Sequence, residues 1–500
     1  MLRNISRRSL LAGLGAMAAT GQAFAGAPAR SLRPHLRGQK DRLPYFERPE
    51  DLLETAGISG DLAWSVADVK SGLILESVQG STGLPPASVA KALTTLYALE
   101  TLGPEYRFKT QVVARGRLEN GVLTGDLVLR GGGDPTLTTD ALARLAADLK
   151  KLGLREVRGE FIVDDTALPY TRSIDEGQPD QVGYSPAVSG IALNFNRVHF
   201  EWKAVSGGYN VTMDARTERY RPDVQMAVMK VVDRSIPVYT YADSGGKDSW
   251  TVARGALGKG GARWLPVRRP GAYAGDVFRT LARANGIVLP PARIAGIGLE
   301  GTEVLAENSS APLPLLLRNM LKYSNNLTAE MIGMTASAQL LGKPPASMKA
   351  SAEKMSRWAS ERFGMKNTML EDHSGLGDDS RMTPEDLVAA LVEARRTGIL
   401  LPLLKSIPVL DSKGRLVKSS PIKVQAKTGT LNFVSGLGGF ITAADGTELA
   451  FAIFAADSKI RAGLSREERE RPRGARHWNG RARMFQQKLI ARWGALYGSS

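Results

Sequence analysis

Apolar and polar positions change period several times along the chain, and each change predicts a new element. Leu62-Ala63-Trp64-Ser65-Val66 and Leu73-Ile74-Leu75 are short apolar runs parted by Lys70-Ser71-Gly72, the pattern of two strands about a turn. Pro85-Pro86 then punctuates the chain. Leu93, Leu96, Tyr97 and Leu102 recur at helical spacing until Gly103-Pro104 stops the run. From about 107 to 300 short β-type runs (111–114, 127–129 and 161–163) alternate with Gly- and Asp-rich turns, and helices are expected over 141–152 and 275–285. After 312 helical patterns return, over 315–320 and 327–341. Ile422, Val424 and Ala426 alternate with Lys423, Gln425 and Lys427, a period of two that predicts a strand. The runs 439–442 and 449–454 flank Asp445-Gly446, which predicts a hairpin. The chain closes on a basic amphipathic helix whose apolar stripe comprises Met484, Phe485, Leu489, Ile490, Trp493, Leu496 and Tyr497. Packing on a sheet is the favoured use of that stripe, and a membrane surface is the other. No internal repeat is present.

Composition narrows the class. A chain of 500 residues, 43% apolar and 23% charged, is globular and long enough for two or more domains. Its start is a separate matter. Arg3, Arg7 and Arg8 precede an apolar run from 10 to 19, and Ala23-Phe24-Ala25 offers small residues for cleavage, so 1–25 is expected to be a signal peptide. Ser6-Arg7-Arg8-Ser9-Leu10-Leu11 resembles a twin-arginine export signal, although an ordinary Sec signal with two adjacent arginines fits the same residues. Residues 26–50, rich in Pro and Arg, are expected to form a linker. No later stretch approaches the roughly 20 apolar residues of a membrane span, so the mature chain is expected in the periplasm without a transmembrane segment.

The absence of cysteine removes thiol catalysis, and the four histidines are too scattered for a zinc site. A net charge of +16 suits an anionic wall or envelope surface, or simply solubility. Nucleic acid is excluded as a partner, because no binding motif accompanies the charge.

Chemistry enters through three short motifs in order: Ser88-Val89-Ala90-Lys91, Ser324-Asn325-Asn326 and Lys427-Thr428-Gly429. Together they form the S-x-x-K, S-x-N, K-T-G set of serine acyl-enzymes. Each alone is weak, and S-x-x-K recurs at Ser244, Ser351 and Ser420. Context separates Ser88 from these decoys. It follows Pro85-Pro86 at a helix start, with Lys91 three residues on along the same face. A lysine destabilised as an ammonium by burial can take the serine's proton. The second motif falls between two helical patterns, where an extended loop would send Ser324 and Asn326 to the same side. There a serine can relay a proton and an amide can bind a peptide backbone. The third motif ends a strand whose edge can pair with an extended substrate, with positive charge from Lys427 and hydroxyls from Thr428 and Thr430. Competing sites are poorer. There is no G-x-S-x-G elbow, Gly131-Gly132-Gly133-Asp134-Pro135 lacks the lysine of a phosphate loop, and His373 is expected to be structural rather than a triad base.

With these motifs in hand, the chain resembles the PBP4-type D-alanyl-D-alanine carboxypeptidases/endopeptidases of peptidase family S13 (DacB). The long interval from Ser88 to Ser324 resembles that family's habit of inserting domains after its first motif. The segments at 129–135, 163–166, 372–376 and 427–431 resemble its signatures, apart from His373 where Gly is expected and the Arg- and Glu-rich addition at 465–476. The resemblance implies a nucleophile at Ser88, a general base at Lys91 and a proton relay at Ser324. It implies substrate contacts from Asn326, Lys427, Thr428, Gly429 and Thr430, an oxyanion hole from the N–H groups of Ser88 and Thr430, and no cofactor or metal. Peptidoglycan stem peptides are the implied substrates and β-lactams the implied inhibitors. The fold implied is α/β: an antiparallel transpeptidase sheet flanked by helices, built from 51–106 and 301–500, with β-rich inserted domains over 107–300. The alternatives are a serine β-lactamase or esterase of the same fold, which the long insertion disfavours, and a non-enzymatic wall-binding protein, which intact Ser88, Lys91 and Lys427 disfavour.

Overall fold

The computed structural model describes residues 48–298, 300–411 and 414–498. The leader expected over 1–25 and all but the end of the linker expected over 26–50 lie outside them.

One six-stranded sheet carries the motif strand. Its order is Lys405–Ser406, Lys423–Leu431, Val434–Thr442, Glu448–Ala456, Asp61–Asp68 and Ile74–Val78, with every neighbour antiparallel. Strands from the two ends of the chain thus lie side by side. The middle strands are apolar at nearly every position rather than alternating (ELAFAIFAA over Glu448–Ala456), which requires cover on both faces. Helices supply it. On one face Ala90–Leu102, Leu313–Tyr323, Asn326–Leu341 and Pro384–Thr397 share a core with Ala63, Ala67, Phe440, Ala452 and Phe454. On the other lies the terminal helix Ala475–Leu496.

That terminal helix is longer than its apolar stripe suggested, and the stripe packs on the sheet. Phe485 meets Trp64 edge-on at 5.3 Å between ring centroids, and Trp493 lies 5.9 Å from Phe451. The Glu76 carboxylate accepts the indole N–H groups of Trp64 at 2.9 Å and Trp493 at 3.0 Å, and pairs with Arg492. Among the described residues no helix is long and apolar enough to cross a membrane.

Between these parts runs the β-rich stretch. A mixed sheet in the order Ala292–Ile294, Phe161–Asp164, Val122–Gly131, Lys109–Glu119 and Glu303–Ser309 is accompanied by two three-stranded sheets drawn from 197–266. Their apolar faces merge with the helices Thr139–Lys151 and Pro270–Ala284 in one core. The strand Glu303–Ser309 pairs with Lys109–Glu119, so this sheet continues past residue 300.

The helices Met348–Phe363 and Pro384–Thr397 were not anticipated from periodicity. Their termini nonetheless carry strong signals: Ser347 accepts the N–H of Ala350, Thr383 accepts that of Asp386 ahead of Pro384, and Gly364 and Gly398 end the two helices in the left-handed region.

Trp493 unites aromatic packing with a buried hydrogen bond, so Trp493→Ala should lower the unfolding free energy by about 3–5 kcal/mol in urea denaturation. A loss below about 1 kcal/mol would show that the sheet does not depend on this helix.

Candidate active site

The site begins with a short turn. Ala87–Val89 form a single 3₁₀ turn that runs directly into the helix Ala90–Leu102. Ala87 has φ 46°, a left-handed conformation that costs a residue with a Cβ and is often found at functional sites. Every residue from 84 to 98 is buried except Ser88, which is partly exposed. Lys91, one turn on, is fully buried, and its Nζ lies 2.9 Å from Ser88 Oγ, 2.7 Å from Asn326 Oδ1 and 2.7 Å from the carbonyl oxygen of Ser374. A neutral amine has two N–H groups and one lone pair. The two carbonyl-type oxygens can only accept, so they take the N–H groups and leave the lone pair for the Ser88 hydroxyl proton.

The second motif is not an extended loop. Ser324 closes the helix Leu313–Tyr323 in the left-handed conformation (φ 57°), Asn325 caps the next helix by accepting the N–H of Thr328 at 2.9 Å, and Asn326 is already that helix's first residue. This tight junction sends its two polar groups to different partners. Asn326 Oδ1 meets Lys91, whereas Ser324 Oγ accepts from Lys427 Nζ at 2.9 Å. The Asn326 amide nitrogen donates to the Tyr184 carbonyl at 2.9 Å, which ties the junction to the loop at 172–185.

The third motif lies on the strand Lys423–Leu431, which pairs with Lys405–Ser406 only at Gln425 and Ala426. Past that point the strand has no partner on this side among the described residues, so the edge is open from Lys427 onward. Gly429 is required by close approach. A Cβ there would lie 2.7 Å from the Pro86 carbonyl oxygen and 3.1 Å from the Ser88 nitrogen, so a larger residue would push the strand off the nucleophile turn. Alternation places Lys427 and Gly429 toward that turn and Thr428 and Thr430 at the alternate positions, Thr430 exposed. Lys427 was expected to present its charge to a ligand. Its Nζ is instead buried, held by Ser324 Oγ and the Thr428 carbonyl.

Burial dominates the electrostatics. It draws the Lys91 amine down to about 8, while Asp372 and Glu330 oppose it. It lowers Lys427 well below an ordinary lysine, with help from the charges of Lys91 and Lys405. The carboxylates were missed from sequence. Glu330 is the one charged residue in the largely apolar run 327–334, a signal that could have drawn notice. The rim also escaped notice. Arg268, buried, donates to the carbonyls of Arg172, Asp180 and Ser185, fixing the loop beside Asn326. The Arg-rich addition contributes Arg466 to Asp180 and Arg469 to Asp378.

His373 is structural in its contacts. Its ring is fully buried, Nε2 meets Ser351 Oγ at 2.8 Å and Nδ1 meets Met355 Sδ, while burial lowers its proton affinity to about 3. The decoys fall away as well. Ser351 is spent in that buried contact, Ser244 and Lys247 close a hairpin, and Ser420 caps its own turn by accepting the N–H of Ile422.

The chain is similar to known proteins over most of its length. Residues 50–471 match the profile of the D-Ala-D-Ala carboxypeptidase 3 (S13) family. A D-alanyl-D-alanine carboxypeptidase of Actinomadura sp. (strain R39) is 28% identical over 442 residues, covering 80% of this chain and 79% of the relative. The crystal structure of penicillin binding protein 4 (dacB) from Haemophilus influenzae superposes with a TM-score of 0.71 at 21% identity, over 88% of this chain and 99% of that one. The same protein complexed with a novel β-lactam gives 0.65 at 23% identity, over 81% and 92%. The antiparallel sheet, the helices on its two faces and the ordered motifs thus have a common explanation: the chain belongs to the D-Ala-D-Ala carboxypeptidase 3 (S13) family.

Proposed function

We propose that the protein is a serine-type D-alanyl-D-alanine carboxypeptidase that works through an acyl-enzyme on Ser88. The observation that carries this reading is the Lys91 amine, buried, 2.9 Å from Ser88 Oγ and otherwise bonded to oxygens that can only accept. Ser88 Oγ attacks the carbonyl of the penultimate D-Ala as its proton passes to the Lys91 lone pair. The oxyanion is met by the backbone N–H groups of Ser88 and Thr430, whose approach depends on Gly429 having no side chain. The C–N bond then breaks, and the proton that Lys91 took from Ser88 passes by way of Ser324 to the amine of the departing D-Ala, which returns Lys91 to its neutral form; Lys427 supports Ser324. Water, deprotonated by the same base, hydrolyses the ester and frees Ser88. Asn326 and the open strand edge hold the peptide, and Thr428 and Thr430 receive its terminal carboxylate.

The remaining parts of the reading follow from the setting. Residues 51–106 and 301–500 form the catalytic domain, apart from the strand Glu303–Ser309 that completes the inserted sheet, and the β-rich stretch from 107 to about 300 is inserted to control access or docking. Peptidoglycan stem peptides outside the cytoplasm are the substrates, reached by twin-arginine export to the periplasm. The same chemistry can open D-alanyl cross-links, making the enzyme a DD-endopeptidase as well. β-Lactams would acylate the same serine; the β-lactam complex of the structural neighbour supports this.

Penicillin should therefore add once to the protein, at Ser88, and Ser88→Ala should abolish both labelling and D-Ala release while the far-UV spectrum stays unchanged. An adduct mapped by mass spectrometry to a peptide holding Ser244, Ser351 or Ser420 would refute the assignment.

A charge-assisted hydrogen bond from Thr430 to the substrate carboxylate is worth roughly 1.5–3 kcal/mol, or about one to two orders of magnitude in rate. Thr430→Val keeps the backbone N–H and removes the hydroxyl. It should slow hydrolysis of a D-Ala-D-Ala peptide far more than that of the same peptide with an amidated C-terminus. Equal losses would mean that the hydroxyl does not read the carboxylate.

A further inference from the structure

The reaction as described uses neither of the two buried carboxylates behind Lys91. Glu330, in the helix Asn326–Leu341, has no solvent exposure, and each of its oxygens accepts one backbone N–H: His373 at Oε2 and Ser374 at Oε1, both at 2.9 Å. Asp372 is almost as deeply buried and folds the same loop onto itself, accepting the N–H groups of Ser374 at 3.0 Å, Gly375 at 2.5 Å and Gly377 at 2.6 Å. The Ser374 carbonyl is thereby aimed at Lys91 Nζ, 2.7 Å away. The next residue, Gly375, has φ 73° and no room for a side chain, since a Cβ would lie 1.9 Å from the carbonyl oxygen of Ala87, the neighbour of Ser88. The loop is thus clamped between Glu330 and the nucleophile turn, and it delivers one of the two oxygens that orient the base.

A buried ionised carboxylate costs several kcal/mol of solvation, which two backbone N–H groups offset only in part. A side-chain amide carries only one acceptor oxygen, so receiving an N–H at each of two side-chain oxygens calls for a carboxylate. We propose that Glu330 is a positioning residue for acylation: it fixes the His373–Ser374 backbone that receives a Lys91 N–H, and its carboxylate provides the counter-charge for the ammonium formed when Ser88 yields its proton.

Proton bookkeeping agrees with this. When Ser88 Oγ attacks, its proton moves to Lys91 and creates a buried cation. The charged or titratable groups around it are Glu330 from one helix, Asp372 and the neutral His373 from the loop, and Lys427 from the motif strand. Burial, then the neighbouring Asp372, raises the Glu330 carboxyl, while burial lowers the Lys91 amine, so the opposite shifts bring the two groups closer in proton affinity. A carboxylate beside an ammonium raises the amine's proton affinity, so its removal lowers that of Lys91. The amine then loses its proton at lower pH and is a weaker base.

The inference rests on the proposed function, in which Lys91 serves Ser88, and the test separates the two. The second-order rate of penicillin acylation is measured against pH, with the adduct mapped to Ser88. In the parent protein it should rise through a limb near pH 8. In Glu330→Gln that limb should move to lower pH and the plateau should fall roughly tenfold, the scale expected for a weakened general base. A reduced plateau with an unmoved limb would make Glu330 a loop tether only and overturn its electrostatic role. Glu330→Asp is the second variant. It keeps the charge but is too short to hold both N–H groups, so its plateau should fall with the limb unmoved. A limb displaced as in Glu330→Gln would overturn the proposal, as would failure of both variants to fold. Absence of any Ser88 adduct in the parent would instead refute the proposed function itself.

Discussion

A fully buried amine is the constraint around which the site is arranged. Full burial of Lys91 would be prohibitive for a permanent ammonium, and the surroundings resolve the cost by making the neutral form a fitting one. Two fixed acceptors, from Asn326 and Ser374, consume its N–H groups, and the remaining direction points at Ser88. The requirement explains why so much backbone converges here. Each acceptor comes from a different element, and each element must be held firmly for the lone pair to point at one hydroxyl.

The fold meets that demand from several sides. The junction after Leu313–Tyr323 turns within two residues, with Ser324 left-handed and Asn325 capping, so that Asn326 at the helix start reaches Lys91 while Ser324, two residues before it, reaches Lys427. The motif strand approaches the nucleophile turn as closely as a glycine allows. Behind that strand, the terminal helix and the Glu76 cluster stiffen the sheet, joining strands from both ends of the chain. Arginines from the 465–476 addition then tie the open end of the site to the loop beside Asn326.

Much of this was legible in the sequence, because it was written in local signals. Pro85-Pro86 and helical spacing placed Ser88 and Lys91 at a helix start. A period of two placed Lys427 on a strand, and the apolar stripe ending at Tyr497 anticipated the packing of the terminal helix. What escaped notice depends on tertiary contact. The largely apolar helix Asn326–Leu341 does not say that its one carboxylate faces the backbone of residues 373 and 374, which lie some forty positions away. The geometry of the second motif was misjudged because a two-residue junction between helices and an extended loop both separate helical patterns. Lys427 was expected to supply positive charge to the substrate, and nothing local reveals that its amine is buried against Ser324.

The central claim, that Lys91 is poised as a neutral base, can be read directly from its own titration. Protein carrying ¹³C at the lysine ε-carbons should show one lysine signal, absent in Lys91→Arg, that titrates near pH 8. Exposed lysines titrate near 10.4. A Lys91 signal moving with those, at about 10 or above, would contradict the account, because the site would then hold a permanent cation with no lone pair to offer Ser88.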